Sequence, residues 1–235
     1  MSTFLQQCKD FVKDNGISGS GPSTVVGQTG VFGDVVYWVD RANRAIQSLH
    51  NNWGFLEEDL VITLSDDTGD YSLSDMGLTD LGTWKEDSFI INPGTANKKV
   101  LKKYDFDKWI TSDERAGTYT TQEPENFIIK RPDKALAFKP IPNGTFTVWA
   151  KYYKKPVAMT ANTDESVIPS QFHDIILYRA TMFYARHMGF PSKIYESANE
   201  DYKALLSSLE SHSLPDSQMR HNIGASWEND RIETV

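Results

Sequence analysis

A glycine-rich stretch near the N-terminus, GISGSGPSTVVGQTG at residues 16–30, has the composition of a loop that holds a phosphate. A P-loop also needs a Lys and a Ser or Thr after its last Gly, because these side chains contact the phosphates and Mg²⁺. This stretch contains neither Lys nor Arg. The dinucleotide fingerprint Gly-x-Gly-x-x-Gly fails as well, since Thr24 stands in place of the third glycine. The sequence therefore predicts a helix-to-helix connector, with loop or subunit-interface residues Gly19, Gly21, Pro22, Gly27 and Gly30.

Acidic residues cluster at three further places, where they could bind a cation or transfer protons. The segment DDTGD at 66–70 lacks the EF-hand pattern, in which oxygen ligands alternate and a Glu stands twelfth. The acidic runs at 57–59 and 164–165 lie in polar sequence, whereas acid–base catalysis requires a carboxyl group whose pKa is tuned by burial and neighbouring charge. We interpret these residues as parts of turns and solvated linkers.

The histidines and the cysteine complete the residues that could do chemistry. A metal-binding spacing such as His-Glu-x-x-His joins none of His50, His173, His187, His212 and His221. We interpret them as surface or interhelical polar groups. Cys8 is the single cysteine, so it cannot form an internal disulfide, and it lies on an apolar helix stripe where a thiol acts as a small hydrophobe. The sequence predicts no metal, no cofactor and no enzyme activity.

Helical periodicity occurs in the first and the last part of the chain. The first helix is predicted over 3–15, with Ser2 or Thr3 as its cap and Gly16 as its stop. A third helix is predicted over 169–189, with Met188 facing inward and Gly189 as its stop, and a fourth over 191–215. The second helix, which follows the connector, carries an apolar stripe formed by Val31, Val35, Val39, Ala42, Ile46 and Leu49.

The middle of the chain, residues 60–157, is rich in strand-forming and turn residues. Strands are predicted at 60–64 and 88–91, and a short helix at 106–110. The clearest expectation is a hairpin joining 135–141 to 145–153 through Pro142-Asn143-Gly144, because Asn-Gly supplies the positive φ angles of a tight turn.

The predicted fold class is therefore α+β. An antiparallel helical bundle, built from 1–59 and 158–213, carries an antiparallel β-rich insertion at 60–157. Residues 214–235 form an extended C-terminal tail without periodicity, which is either a disordered terminus or a segment that folds on a partner. In the second case the anchors that bind this partner are Met219, Arg220, Ile223, Trp227 and Arg231.

Charge is distributed unevenly along the chain. The net charge is −8, yet residues 98–155 hold thirteen basic and seven acidic residues, a net +6, so the remainder carries −14. The overall sign argues against a general nucleic-acid binder. The two signs could meet between subunits or could simply lie on solvated faces. No signal peptide or long apolar run is evident, so we expect assembly in the cytoplasm without membrane contact.

Several N-terminal motifs resemble the opening of head–tail adaptor, or connector, proteins of tailed bacteriophages, especially the short-tailed type. The PIPNG segment at 140–144 and Lys155-Pro156 are similar to the same family. The N-terminal resemblance rests on FLQ at 4–6 with Cys8, GISGSGP at 16–22, GQTG at 27–30, Trp38-Val39, Ala42, Ile46-Gln47, His50 and WGFL at 53–56.

This resemblance implies a structural virion protein at the head–tail neck. Such a protein forms a homo-oligomeric ring, expected to have twelve copies, between the portal protein and the tail or nozzle protein. Genomic DNA passes through its channel without sequence-specific binding, and the C-terminal extension reaches along the portal. Two alternatives stay open: another neck or tail-completion protein of the virion, and a phage hydrolase.

Overall fold

The computed structural model describes residues 2–111, 121–131, 133–190 and 192–215, and these form an α+β fold, as predicted. The helices are α1 (Phe4–Asp14), α2 (Gly30–Gln47), α3 (Phe106–Thr111), α4 (Asp174–Met188) and α5 (Ser192–Ser213). The strands are β1 (Glu57–Leu64), β2 (Asp70–Tyr71), β3 (Leu81–Ile91), β4 (Lys99–Val100), β5 (Lys102–Lys103), β6 (Asn126–Ile129), β7 (Leu136–Lys139) and β8 (Phe146–Lys154). The chain divides into two compact units. The helical unit combines the described residues up to Leu56 with those from Pro156 onward, and the sheet unit spans Glu57–Lys155.

Local capping signals set the ends of the helices. At the start of α1, the Thr3 hydroxyl accepts a hydrogen bond from the backbone N–H of Gln6 at 3.3 Å. This bond satisfies one of the N–H groups that the first helical turn leaves without a partner. The C-terminus of α4 is capped by Gly189. Its φ of 65° lies in the left-handed region, as a glycine cap requires. Both caps were predicted from the sequence.

Aromatic side chains join the helices of the helical unit. Helix α1 packs against α2 and α4, and α4 also packs against α2 and α5. The Tyr184 ring on α4 lies 5.8 Å from the Phe11 ring and 5.2 Å from the Trp38 ring, between centroids. Cys8 is fully buried, in agreement with its predicted role as a small hydrophobe.

The buried face of α2 differs at both ends from the predicted stripe. Val31 is 58% exposed and Leu49 is 46% exposed. Val31 lies in the first turn of α2, before Val35, the first buried residue of the helix. Leu49 follows the end of the helix at Gln47, where the helical phase no longer applies. Met188, predicted to face inward, is likewise exposed at the last position of α4.

Two buried amides on α2 hold the chain where it returns from the sheet unit. The Gln47 side chain accepts a hydrogen bond from the Val157 backbone N–H at 2.8 Å and donates to the Val157 carbonyl at 3.2 Å. Asn43 donates to the same carbonyl at 3.0 Å. The Asp40 carboxylate accepts from the Met159 N–H at 2.9 Å. Polar side chains beside the apolar stripe of α2 therefore satisfy backbone N–H and C=O groups of this returning segment, which is not part of a strand.

The sheet unit contains two four-stranded sheets, ordered β1-β8-β3-β4 and β2-β7-β6-β5. All described pairs are antiparallel except β5 with β6. The Phe89 ring of the first sheet stacks on the Phe127 ring of the second at 3.8 Å between centroids. The buried residues of both sheets form one apolar cluster, which stabilises the unit.

The hairpin predicted across Pro142-Asn143-Gly144 is wrong. Strand β7 pairs with β2 and β6, whereas β8 pairs with β1 and β3, so the two segments belong to different sheets. Neither Asn143 nor Gly144 has a positive φ, which a tight two-residue hairpin turn requires. Pro140 and Pro142 have no N–H group to donate to a ladder, and the chain crosses between the sheets at this point.

Candidate functional site

The connector begins where α1 ends in a glycine cap. The N–H of Gly16 donates to the Lys13 carbonyl at 3.2 Å, and the N–H of Ile17 donates to the Val12 carbonyl at 3.0 Å. Gly16 has a φ of 62°. Together these features form a Schellman motif, which satisfies the last helical carbonyls and turns the chain away from the helix. A helix precedes the connector and another follows it, as predicted, so it lacks the strand that introduces a nucleotide-binding loop.

Asn162 anchors the connector from a distant part of the sequence. Its side-chain oxygen accepts a hydrogen bond from the Val25 backbone N–H at 2.7 Å and one from the Thr24 hydroxyl at 3.1 Å. Val25 is buried beside this contact, whereas its neighbour Val26 is exposed. Sequence reasoning missed Asn162, because it was placed in a solvated linker and no local pattern connects it with Val25.

Two of the predicted connector residues lie close to the helices that flank the connector. A Cβ added at Gly21 would lie 3.0 Å from Lys9 Cγ and 3.1 Å from Lys9 Cα. A Cβ at Gly19 would lie 3.2 Å from Phe32 Cζ. Glycine at these two positions therefore allows the connector to approach α1 and α2 closely.

The other predicted connector residues have different surroundings. Pro22 is buried. Gly27 and Gly30 have no heavy atom within 4 Å of the place that a Cβ would take. Gly27, Gly30 and Val26 therefore form the part of the connector that is open to a partner.

An apolar groove with an acidic rim lies between the end of α1, α4 and α5. Its volume is about 680 Å³. Leu177, Ile194 and Ala198 contribute apolar surface, and the carboxylates of Asp14, Asp174 and Asp201 stand at its edge. The Asn15 side chain donates to Thr181 Oγ1 at 3.1 Å and thereby joins α1 to α4 along one wall. We call this feature the acidic groove. Sequence reasoning did not identify the groove, because the end of α1 lies far from α4 and α5 along the chain.

The first sheet carries a row of apolar residues on one face, in which Ile90 is half-buried and the others are exposed. The row crosses all four strands, because the register pairs Val61 with Trp149, Trp149 with Ile90, and Ile90 with Val100. Directly opposite residues of an antiparallel pair lie on the same face. The row ends at Val100, which is 62% exposed in the edge strand β4.

The sequence KKVLKK at 98–103, in which every residue except the buried Leu101 is exposed, forms the lysine edge of the sheet unit. It comprises β4, at the edge of the first sheet, and β5, at the edge of the second. Lys99 Nζ lies 2.8 Å from Glu123 Oε2, and Lys103 Nζ lies 2.6 Å from Glu86 Oε1. Within the described residues, Lys98 and Lys102 have no carboxylate at ion-pair distance.

The clustered carboxylates have structural partners. Glu57 accepts hydrogen bonds from Lys85 at 2.8 Å and from Lys151 at 2.7 Å. Burial would raise the pKa of Glu57, but these two lysines lower the pKa overall. Asp164 accepts hydrogen bonds from two backbone N–H groups at 160–161, which lower its pKa. Residues 66–67 form a turn, which the Thr68 N–H closes by donating to the Ser65 carbonyl at 3.2 Å, as the sequence indicated.

The thiol and the histidines show no catalytic arrangement within the described residues. Burial, followed by the nearby Asp40 carboxylate, raises the pKa of Cys8 to about 12, so the thiol stays protonated near neutral pH. His173 is buried, with its Nε2 atom 2.9 Å from the Ile168 carbonyl oxygen. In the part of the chain that is described, no three His, Cys, Asp or Glu side chains are grouped to hold a metal ion.

The five predicted anchors of the C-terminal tail lie outside the described residues: Met219, Arg220, Ile223, Trp227 and Arg231. No described helix combines the length and the apolar character of a membrane span.

The sequence as a whole matches one known protein family. The chain matches no curated protein. Residues 4–224 match the family described as SU10 adaptor protein. This match includes the helical unit, the sheet unit and the start of the tail, and it confirms the resemblance to phage adaptors. The chain therefore belongs to the SU10 adaptor protein family, a family of phage head–tail adaptors.

Proposed function

We propose that this adaptor forms a ring at the neck of a short-tailed phage, joining the portal protein to a tail or nozzle protein. The observation that carries the proposal is the family match across residues 4–224. A ring of twelve copies is the expected stoichiometry. Copies in a closed ring contact each other through two unlike surfaces, and the described chain offers surfaces of opposite charge in the acidic groove and the lysine edge.

The proposed domain arrangement assigns one task to each part of the chain. Helices α1, α2, α4 and α5, within 1–59 and 158–213, form an antiparallel bundle that is the core of the subunit. Residues 60–157 are an inserted module. Residues 214–235 extend from the bundle and bind the portal, with Trp227 and Arg231 as central contacts, since aromatic and Arg residues dominate many interfaces. The open part of the connector contacts a neighbouring copy.

The ring is proposed to surround the path of the genome. The net charge of −8 favours a channel wall that repels DNA, so that the duplex passes without being retained. The channel wall makes no sequence-specific contact with the DNA. The assembled ring should leave duplex DNA in the unbound fraction at physiological salt.

Electron microscopy of the protein mixed with its cognate portal tests the main proposal. We expect a ring of twelve copies on the portal. A protein truncated after Pro215 should keep its helical circular dichroism and lose portal binding. Trp227→Ala/Arg231→Ala should weaken portal binding by about tenfold or more, whereas Glu233→Ala serves as a control in the same segment. A wild-type chain that does not bind the portal would refute the proposal.

A further inference from the structure

The acidic groove lacks a partner for its charge. Asp14, Asp174 and Asp201 are exposed at its rim. Within the described residues, none of these carboxylates has a basic group at ion-pair distance. Lys193 is the lone basic residue among those that line the groove. The groove therefore carries a net negative charge over a largely apolar floor.

All three carboxylates affect the pKa of one residue that lines the groove, Tyr178. Burial raises the pKa of the Tyr178 hydroxyl, and Asp201, Asp174 and Asp14 raise it further. Carboxylates on three separate helices thus contribute to the potential at a single point of the groove. A ligand that suits this surface combines an apolar group with positive charge.

The lysine edge has that combination of properties. Val100 is 62% exposed, and it is flanked by two pairs of exposed lysines at 98–99 and 102–103. Lys98 and Lys102 lack carboxylate partners within the described residues, so their charge is available. The methylene stems of lysines can also lie along apolar surface while the ammonium groups contact carboxylates.

We propose that the acidic groove of one copy binds the lysine edge of the next copy, with Val100 over the apolar floor and the lysines against the aspartates. This inference rests on the proposed function, because a ring requires head-to-tail contacts between unlike surfaces. The occupant is a second copy of this chain, since charge and apolar character are complementary. The contact weakens as salt screens the charges.

Charge reversal on each side of the contact provides the main test. Lys98→Glu/Lys102→Glu places acidic residues against the acidic groove. Asp14→Lys/Asp201→Lys places basic residues against the lysine edge, and it spares Asp174 at the N-terminus of α4, where an acidic side chain stabilises the helix. We expect each double variant alone to lower the assembled fraction by about tenfold or more.

Mixing the two variants distinguishes the contact from a general effect of net charge. In the mixture, the reversed edge of one variant meets the reversed groove of the other, and the unchanged surfaces meet in turn. Rings of alternating copies should therefore form. Lys108→Glu/Lys155→Glu makes the same charge change on exposed lysines elsewhere and should assemble as the wild type does.

Cysteine cross-linking measures the contact directly. A Val100→Cys copy should form an intermolecular disulfide with an Ile194→Cys copy on the portal, whereas Val61→Cys should give at most about one tenth of that yield, because cross-linking requires Cα atoms within about 7 Å. Cys8 is buried and protonated, so it does not interfere.

The possible outcomes separate this inference from the proposed function. Normal rings from both charge-reversed variants would overturn the inference and leave the ring proposal standing, and the lysines would then serve only to keep the sheet edges from pairing. Intact rings that lose portal binding in the groove variant would assign the groove to the portal and also overturn it. A wild-type chain that neither forms rings nor binds portal would refute both proposals.

Discussion

Asn162 holds Val25 by a hydrogen bond of 2.7 Å from the Val25 backbone N–H to the Asn162 side-chain oxygen, across 137 positions of sequence. The connector between α1 and α2 is therefore fixed by a residue on the segment that returns from the sheet unit. This side chain therefore adds a long-range anchor to the local contacts that the connector makes with α1 and α2.

Asn162→Ala should destabilise the connector. The variant leaves the Val25 N–H without its acceptor, which we expect to lower the free energy of unfolding by about 1–3 kcal/mol. Urea denaturation measures this change, and limited proteolysis should show faster cleavage within residues 16–30. Asn51→Ala removes an exposed Asn and is the matched control. Equal stability of the two variants would contradict the anchoring role.

Gly21→Ala should destabilise the protein more than Gly27→Ala. Both positions have positive φ, at 84° and 68°, so alanine is strained by about 1 kcal/mol at each. At Gly21 the added methyl group also meets Lys9 at 3.0–3.1 Å, whereas at Gly27 it meets open space. We expect the free energy of unfolding of the Gly21 variant to be lower than that of the Gly27 variant by about 1 kcal/mol. Thermal unfolding of the two variants compares them directly.

Gln47→Leu should release the returning segment from α2. The substitution conserves approximate size but leaves both the N–H and the carbonyl of Val157 without the Gln47 amide, and we expect a loss of about 2–4 kcal/mol in the free energy of unfolding. Gln6→Leu, on the exposed face of α1, should change stability by less than about 0.5 kcal/mol. Hydrogen exchange at the Val157 amide should accelerate in the first variant alone.

Glu57→Gln should remove part of the pH dependence of stability. The folded-state pKa of Glu57 lies below its ordinary value of 4.5, so the carboxylate stabilises the fold above that value and loses its effect as the pH falls through the lower folded-state pKa. At pH 7 the variant should be less stable by about 1 kcal/mol, the scale of exposed ion pairs. Urea denaturation across pH 2–7 should show this difference disappear in acid.

Cys8 should resist thiol reagents while the helical unit is folded. Its pKa of about 12 leaves almost no thiolate at pH 8, and its burial blocks access. Labelling should therefore follow unfolding, with a rate that rises with urea in step with the loss of helical circular dichroism. Rapid labelling of the native protein at pH 8 would contradict this prediction.

Local signals in the sequence predicted local structure well. Thr3, Gly16 and Gly189 each determine a helix end through groups a few residues away, and all three were identified from the sequence. Cys8 was likewise placed in the core because the apolar spacing of α1 repeats within one helix. The change of period near residue 60 correctly indicated a change from helices to strands.

Features that depend on distant partners were not predicted. Asn43 and Gln47 look like ordinary polar helix residues, and their burial becomes clear only when Val157 is brought beside them across 110 positions or more. The error at Pro142-Asn143-Gly144 has the same origin, because each flanking strand has a better partner elsewhere in the sheet unit. The acidic groove combines α1 with α4 and α5, which lie about 160 positions or more further along the chain.

The pairing of the first and last long strands of the sheet unit has an evolutionary consequence. Glu57 lies opposite Tyr153 in the register of β1 and β8, so the unit begins and ends at one place. A genetic exchange with two crossovers, near codons 56 and 156, could therefore replace the entire unit while the helical portion keeps its own contacts.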